Sequence, residues 1–329
     1  MTNLITTEQA LILRSEDKKV DYVADWLKFV ADKTPSTVKT YNKAIKRWVK
    51  YLTENGISNP TRDTVVEYRN FLQGQVDVDK MSDNTARLYM TALKMFVRWL
   101  AFEGYTTNYA DGVAGIKVDT STHRKDALSL EEGKKVLASM KGAGEKSLRD
   151  KAIIALMMSC ALRSIEVVRL NVGDIEKRQG RLFLAVHGKG RSGKGDFVML
   201  PSQVYTLIKE YLKTRGDADK NSPLFVSTSR SCKGARLQTQ TISRLAKKAM
   251  VNAGYDSPRL TAHSLRHTAV TLMFLAKDAG AKITESDIQQ VARHKSISTT
   301  QIYRHDIDFF KNNATYYAAG SLFDDWHNR

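Results

Sequence analysis

His263-Ser-Leu-Arg266-His267 and Arg293-His294-Lys-Ser296-Ile-Ser298-Thr-Thr-Gln-Ile-Tyr303-Arg-His305 are the stretches that decide how this chain folds. The first opens an apolar period, in which Leu265, Ala269 and Leu272 recur at helical spacing, so a helix is expected over His263–Asp278. On that helix His263 and Arg266 lie three apart and share a face. An arginine presents a planar fork of donors to two oxygens of a phosphate, and a histidine moves a proton near neutral pH. The plain alternative is a helix end carrying surface polar groups. In the second stretch Ser298 is a good N-cap, and the short helix it starts carries Tyr303 near its first turn. A tyrosine among histidines and cations is either a nucleophile, if a base takes its proton, or a buried aromatic anchor.

Working outward, Arg149–Leu162 is a mostly apolar run long enough for a buried helix, and Leu162-Arg163-Ser-Ile-Glu166 follows it directly. A rigid element therefore holds Arg163, with Glu166 placed to orient a neighbour. Leu182–His187 and Asp196–Leu200 read as a β-hairpin around the turn His187-Gly-Lys189-Gly-Arg191-Ser-Gly-Lys194-Gly. Its glycines let backbone approach a ligand and its lysines are mobile cations, although an exposed flexible turn has the same composition. The turn is not a P-loop, since no G-x-x-x-x-G-K-[ST] occurs there. Further helices are expected near Ser129, at Val204–Thr214, at Thr239–Ala253 and at Ser286–Arg293.

The first half reads as four helices. Tyr22–Phe29 and Val65–Leu72 are the shorter ones. Val38, Tyr41, Ile45, Trp48 and Leu52 form one apolar stripe, and Ala86, Tyr89, Leu93, Phe96 and Leu100 another. Lys39, Lys43, Lys46, Arg47 and Lys50 beside the first stripe are either a solvated face or a track for a phosphate backbone. Residues 117–126 (KVDTSTHRKD) have no apolar period and are the expected linker.

The 329 residues carry 52 basic and 35 acidic side chains, a net charge of +17. Residues 1–120 account for +2 and residues 121–329 for +15. That asymmetry points to a polyanion partner as readily as to solubility, while a 42% apolar composition excludes a disordered or fibrous chain. Two cysteines, Cys160 and Cys232, make no disulfide framework, and Cys160 in an apolar run reads as a buried thiol in a reducing compartment. No run approaches the ~20 apolar residues of a membrane span, and the polar start is not a secretory signal.

Taken in order, these clusters resemble the tyrosine recombinase (phage-integrase-type, Xer-like) family. Its signature is R-x-x-E, a G-K-G hairpin lysine, H-x-L-R-H, then G-H-x-S-x-x-T-T-x-x-Y. Here it reads Arg163-Ser-Ile-Glu166, Gly188-Lys189-Gly190, His263-Ser-Leu-Arg266-His267 and Arg293-His294-Lys-Ser296-Ile-Ser-Thr-Thr-Gln-Ile-Tyr303. Two departures stand where the family usually has glycine: Ala161 before Leu-Arg163, and Arg293 before His294. Neither removes a reacting group, and both bear on local backbone geometry. The hairpin holds two Gly-Lys-Gly triplets, with Lys189 in the usual register and Lys194 as the alternative.

The resemblance implies a mainly α fold. Residues 1–19 would be a tail, 20–116 a helical, SAM-like core DNA-binding domain, and 117–126 a linker. Residues 127–307 would be a mostly helical catalytic domain with a small antiparallel β-sheet, and 308–329 an aromatic-rich tail that docks on a neighbouring protomer. It implies that Tyr303 attacks a DNA phosphodiester to give a 3′-phosphotyrosyl link and a 5′-hydroxyl. Arg163 and Arg266 would neutralise the phosphorane oxygens. Lys189 would protonate the leaving 5′-oxygen. His263 would take the phenol proton, which at a pKa of ~10 is mostly in place at pH 7. His294 would hydrogen-bond the phosphate, and Glu166 would orient His263 or an arginine. No metal, nucleotide or other cofactor is implied. The implied partner is duplex DNA carrying recombination sites, contacted also by Lys39, Lys43, Lys46, Arg47, Lys50 and Arg191. The protein would be a free monomer and a tetramer on paired sites, with accessory proteins left open, in the cytoplasm and on the nucleoid. Xer-like resolution and integration of a small mobile element both fit. Three other readings compete. A zinc hydrolase could use His263, His267 and His294, but lacks the H-E-x-x-H glutamate and carries Arg266 in the cluster. A type IB topoisomerase or a non-catalytic DNA-binding protein could share the fold.

Overall fold

The computed structural model describes residues 4–7, 10–15, 18–118, 126–187, 195–216 and 218–311. The chain divides into two compact units, Met1–Thr120 and Ser121–Arg329.

In the first unit, α1 (Tyr22–Phe29), α2 (Pro35–Glu54), α3 (Arg62–Asp77) and α4 (Asp83–Phe102) form where the apolar stripes place them. Thr34, Thr61 and Ser82 cap α2, α3 and α4, each accepting the backbone N–H three residues on. The stripes bury large aromatic rings. Trp26 meets Phe96 edge-on at 5.3 Å between centroids, and Trp48 meets Tyr68 at 4.9 Å. One cluster gathers Trp26, Ile45, Phe96 and Trp99, and a second gathers Trp48, Val65, Tyr68, Leu72 and Leu93. Helices α2 and α4 contribute to both. Ahead of α1, in place of the expected tail, lie three antiparallel strands: β1 (Leu4–Thr7), β2 (Ala10–Ser15) and β3 (Lys18–Asp21). The runs LITT and ALILRS carry β-favouring residues, and these outweigh the polar character of the segment.

The second unit is mostly helical around one small sheet. Its helices are α5 (Leu130–Ser139), α6 (Glu145–Cys160), α7 (Ser164–Arg169), α8 (Ser202–Lys213), α9 (Thr239–Asn252), α10 (Ala262–Asp278), α11 (Glu285–Ala292) and α12 (Ile297–Lys311). The sheet opens with β4 (Ile175–Arg178), which sequence pattern does not announce, because IEKR is mostly charged and half exposed and shows no apolar run. The expected hairpin follows as β5 (Arg181–Val186) and β6 (Asp196–Met199), in the register Val186↔Asp196. Strand β4 pairs antiparallel with β5, and Gln179-Gly180 turns between them. Helix α6 is buried almost throughout, from Arg149 to Cys160, and sits in the same core as α8, α9 and the start of α10. The expected linker, 117–126, has residues 119–125 outside the described part; Asp126 pairs with Arg259 at 2.7 Å. No helix among the described residues is long and apolar enough to cross a membrane.

Candidate active site

Two helices end in the left-handed region. Ala161 terminates α6 at φ 50° and Arg293 terminates α11 at φ 53°. This conformation costs a side-chain-bearing residue roughly 1–2 kcal/mol and suits glycine, the residue expected by resemblance at both positions. The chain keeps the turn geometry without the glycines. Each turn delivers a site residue at once: Arg163 follows Ala161-Leu162, and His294 follows Arg293.

Glu166, in the first turn of α7, is fully buried. One carboxylate oxygen accepts the Arg163 backbone N–H at 2.7 Å; the other accepts Arg163 Nη1 at 2.8 Å. Arg293 binds both oxygens, Nη2 at 2.8 Å and Nε at 3.3 Å. Burial pushes the carboxyl up, but the Arg293 charge and hydrogen bond, with those of Arg163, outweigh it, so Glu166 lies below its ordinary value.

Arg266, on the first turns of α10, is 1% exposed. Thr261 precedes that helix and donates its N–H to Ser264 Oγ at 3.0 Å. Thr268 ties the helix to residue 128 by accepting the Leu128 N–H at 2.9 Å. The Arg266 guanidinium donates to the carbonyl oxygens of Ala161 and Ala292, which lie at the two left-handed turns. Burial, then the like charges of Arg163 and Arg293, push Arg266 down to about 9, which still leaves it cationic at pH 7. Three guanidiniums thus face one carboxylate. An anion entering here relieves crowding between cations that the fold holds together.

Tyr303 lies on α12 and is 3% exposed. Its ring stacks on His294 at 5.8 Å between centroids and meets His267 edge-on at 4.9 Å; His267 in turn meets His263 at 4.6 Å. The four rings form a row. His294 Nδ1 lies 2.9 Å from Thr300 Oγ1 on α12, the helix that carries Tyr303. Tyr303 is also near enough to Arg266 to act on its charge.

Arg163, Glu166, Arg266, His294 and Tyr303 are therefore linked into one site in the second unit. His263 stands at its exposed edge, with His267 between it and Tyr303. Lys189, its alternative Lys194, and Arg191 lie outside the described residues. Helix α12 begins at Ile297, so Ser296, not Ser298, precedes it; Ser296 Oγ accepts the Ser298 N–H at 3.3 Å. It runs to Lys311, which moves Tyr303 from the first turn into the second. The tail expected at 308–329 thus begins inside a helix, and residues 312–329 lie outside the described part. Of the basic residues on α2, Lys39, Lys43, Lys46 and Lys50 are exposed, whereas the half-buried Arg47 stacks over Phe71 at 5.5 Å and donates to Gln75 at 3.3 Å. Sequence reasoning misses Arg293 and the ring contact of His267. The signal for Arg293 is the arginine itself, standing where resemblance asks for glycine.

The second unit matches the family model described as "Phage integrase family" over residues 127–308. Residues 23–104 match "Phage integrase, N-terminal SAM-like domain". Among curated relatives, tyrosine recombinase XerC of Caldanaerobacter subterraneus is 36% identical over 181 residues, 54% of this chain and 46% of that protein. Tyrosine recombinase XerA of Pyrococcus furiosus is 30% identical over 271 residues, 82% of this chain and 84% of that one. Among solved structures, the XerH site-specific recombinase bound to palindromic difH substrate in a post-cleavage complex aligns with a TM-score of 0.70 at 22% identity. The alignment covers 91% of this chain and 83% of that one.

Proposed function

Because the chain belongs to the phage integrase family and is a tyrosine-type site-specific recombinase, we propose that the row of rings and the arginine cluster described above are its strand-cleavage site. The observation that carries this is the convergence of Arg163, Arg266, His294 and Tyr303 on the two left-handed turns. Tyr303 attacks the phosphodiester, so its Oη–P bond forms as the bond to the 5′-oxygen breaks. Arg163 and Arg266 hold the charge that grows on the nonbridging oxygens. His294 hydrogen-bonds the phosphate. His263 takes the phenol proton, with His267 as the ring between them, and Glu166 orients Arg163. Lys189, or Lys194 in the other register, protonates the leaving 5′-oxygen. Arginines supply the electrostatics, so cleavage needs no cofactor and survives EDTA. The phosphotyrosyl bond keeps the energy needed to rejoin strands.

The reading extends to assembly. A free monomer binds duplex recombination sites through both units, using Lys39, Lys43, Lys46, Arg47, Lys50 and Arg191. Four protomers assemble on paired sites, with the tail, residues 308–329, reaching a neighbour. The high aromatic content of that segment supports the docking role. The test is Tyr303→Phe on a nicked duplex that traps the covalent product. Tyr303→Phe is expected to bind with parental affinity and give no DNA-linked band; such a band from the Phe variant would defeat the assignment.

A further inference from the structure

Arg293 combines two features that rarely coincide. Its backbone is left-handed, a state arginine disfavours, and yet its side chain is only 6% exposed. Four of the five guanidinium N–H groups are engaged: two by Glu166, one by the Ala161 carbonyl at 2.8 Å and one by the Val291 carbonyl at 2.5 Å. Its own carbonyl accepts Arg163 Nη2 at 3.3 Å. Arg163 donates in turn to Glu166, whose second guanidinium partner is Arg293. The result is a closed ring, Arg293 to Glu166 to Arg163 and back to the Arg293 backbone. It joins the start of α7 to the end of α11, and the bond from Arg293 to the Ala161 carbonyl ties in the end of α6.

We propose that Arg293 is a positioning residue for strand cleavage, which shares the Glu166 carboxylate with Arg163 and so holds the Arg163 guanidinium in the pose that receives the scissile phosphate. The inference rests on the cleavage site proposed above. Arg293 itself turns inward, and Arg163 is the more exposed of the two, at 27% against 6%. If Arg293 is removed, Glu166 has Arg163 as its remaining guanidinium partner. The carboxylate then draws both arms of that fork onto itself and competes with the phosphate. Glycine at 293 suits the left-handed backbone, so this loss comes with relief of strain and not with a broken turn.

The test measures binding and single-turnover cleavage of the nicked duplex by the full chain. Arg293→Gly is expected to bind DNA within about threefold of parental affinity and to cleave at least tenfold more slowly at saturating protein. Arg293→Lys keeps the charge without the fork and should fall between the two. Glu166→Gln weakens the same clamp, so Arg293→Gly added to it should slow cleavage little further. Parental-rate cleavage by Arg293→Gly, or effects of the two changes that multiply in the double variant, would overturn the proposal. No adduct from the parental protein would remove the cleavage-site reading and this one with it. An adduct formed equally fast by parental protein and Arg293→Gly would remove only this one.

Discussion

The cations of the two units are handled in opposite ways. On α2, Lys39, Lys43, Lys46 and Lys50 lie at the surface, and Lys50 reaches Glu54 at 3.5 Å, a weak solvated pair. In the second unit the guanidinium of Arg266 is buried and that of Arg293 nearly so, and both are held by carbonyls and one carboxylate. Solvated lysines act through counterion release, so they set affinity and its salt dependence. Buried arginines are already desolvated and oriented, so they act on charge that develops in the transition state. On the proposed reading, one kind of residue governs binding and the other governs rate.

The sharpest way to break this contrast is Arg266→Ala. We expect cleavage to fall by ~10²–10³, as when a single charge-stabilising donor is removed. The Ala292 carbonyl, left without its Arg266 donor, should also lower stability by about 1–3 kcal/mol, whereas the Ala161 carbonyl keeps its bond from Arg293. Single-turnover cleavage and urea unfolding read the two effects, and near-parental cleavage would reject the role. Changing Lys39, Lys43, Lys46 and Lys50 together to Gln should do the reverse. The slope of log K against log salt should become shallower by about 0.9 for each phosphate no longer neutralised, with cleavage at saturation unchanged. Salt-titrated binding checks this, and an unchanged slope would make α2 a solvated face only. The smallest effect concerns Glu166. Its folded-state value is below its unfolded one, so the stability it contributes is present above about pH 4.3 and is lost as pH falls through the lower folded value. The urea midpoint should drop over that acid range in the parental protein and drop less in Glu166→Gln.

Much of this is legible in the sequence. The period of Tyr41, Ile45, Trp48 and Leu52 predicts α2 and its buried face, because a surface helix must hide one stripe. The His263–His267 and Arg293–Tyr303 stretches predict which groups meet, because helix starts and sharp turns fix side chains within a few residues. What stays hidden is what depends on distant partners. The buried state of Arg266 follows from carbonyls at residues 161 and 292, which no local pattern announces. Strand β4 has too many charges to read as a strand, and its pairing with β5 overrides that. The start of α12 is hard to place because Ser298 caps well by composition, whereas Ser296 is the residue that stands before the helix.

The central claim is that the arginine cluster exists to hold a phosphate for Tyr303. The most direct test traps the protein on a nicked suicide duplex, digests the adduct and maps the DNA-linked peptide by mass. The account predicts one modified residue, Tyr303, joined to a 3′-phosphate. Attachment at any other residue, or through a 5′-phosphate, would contradict it.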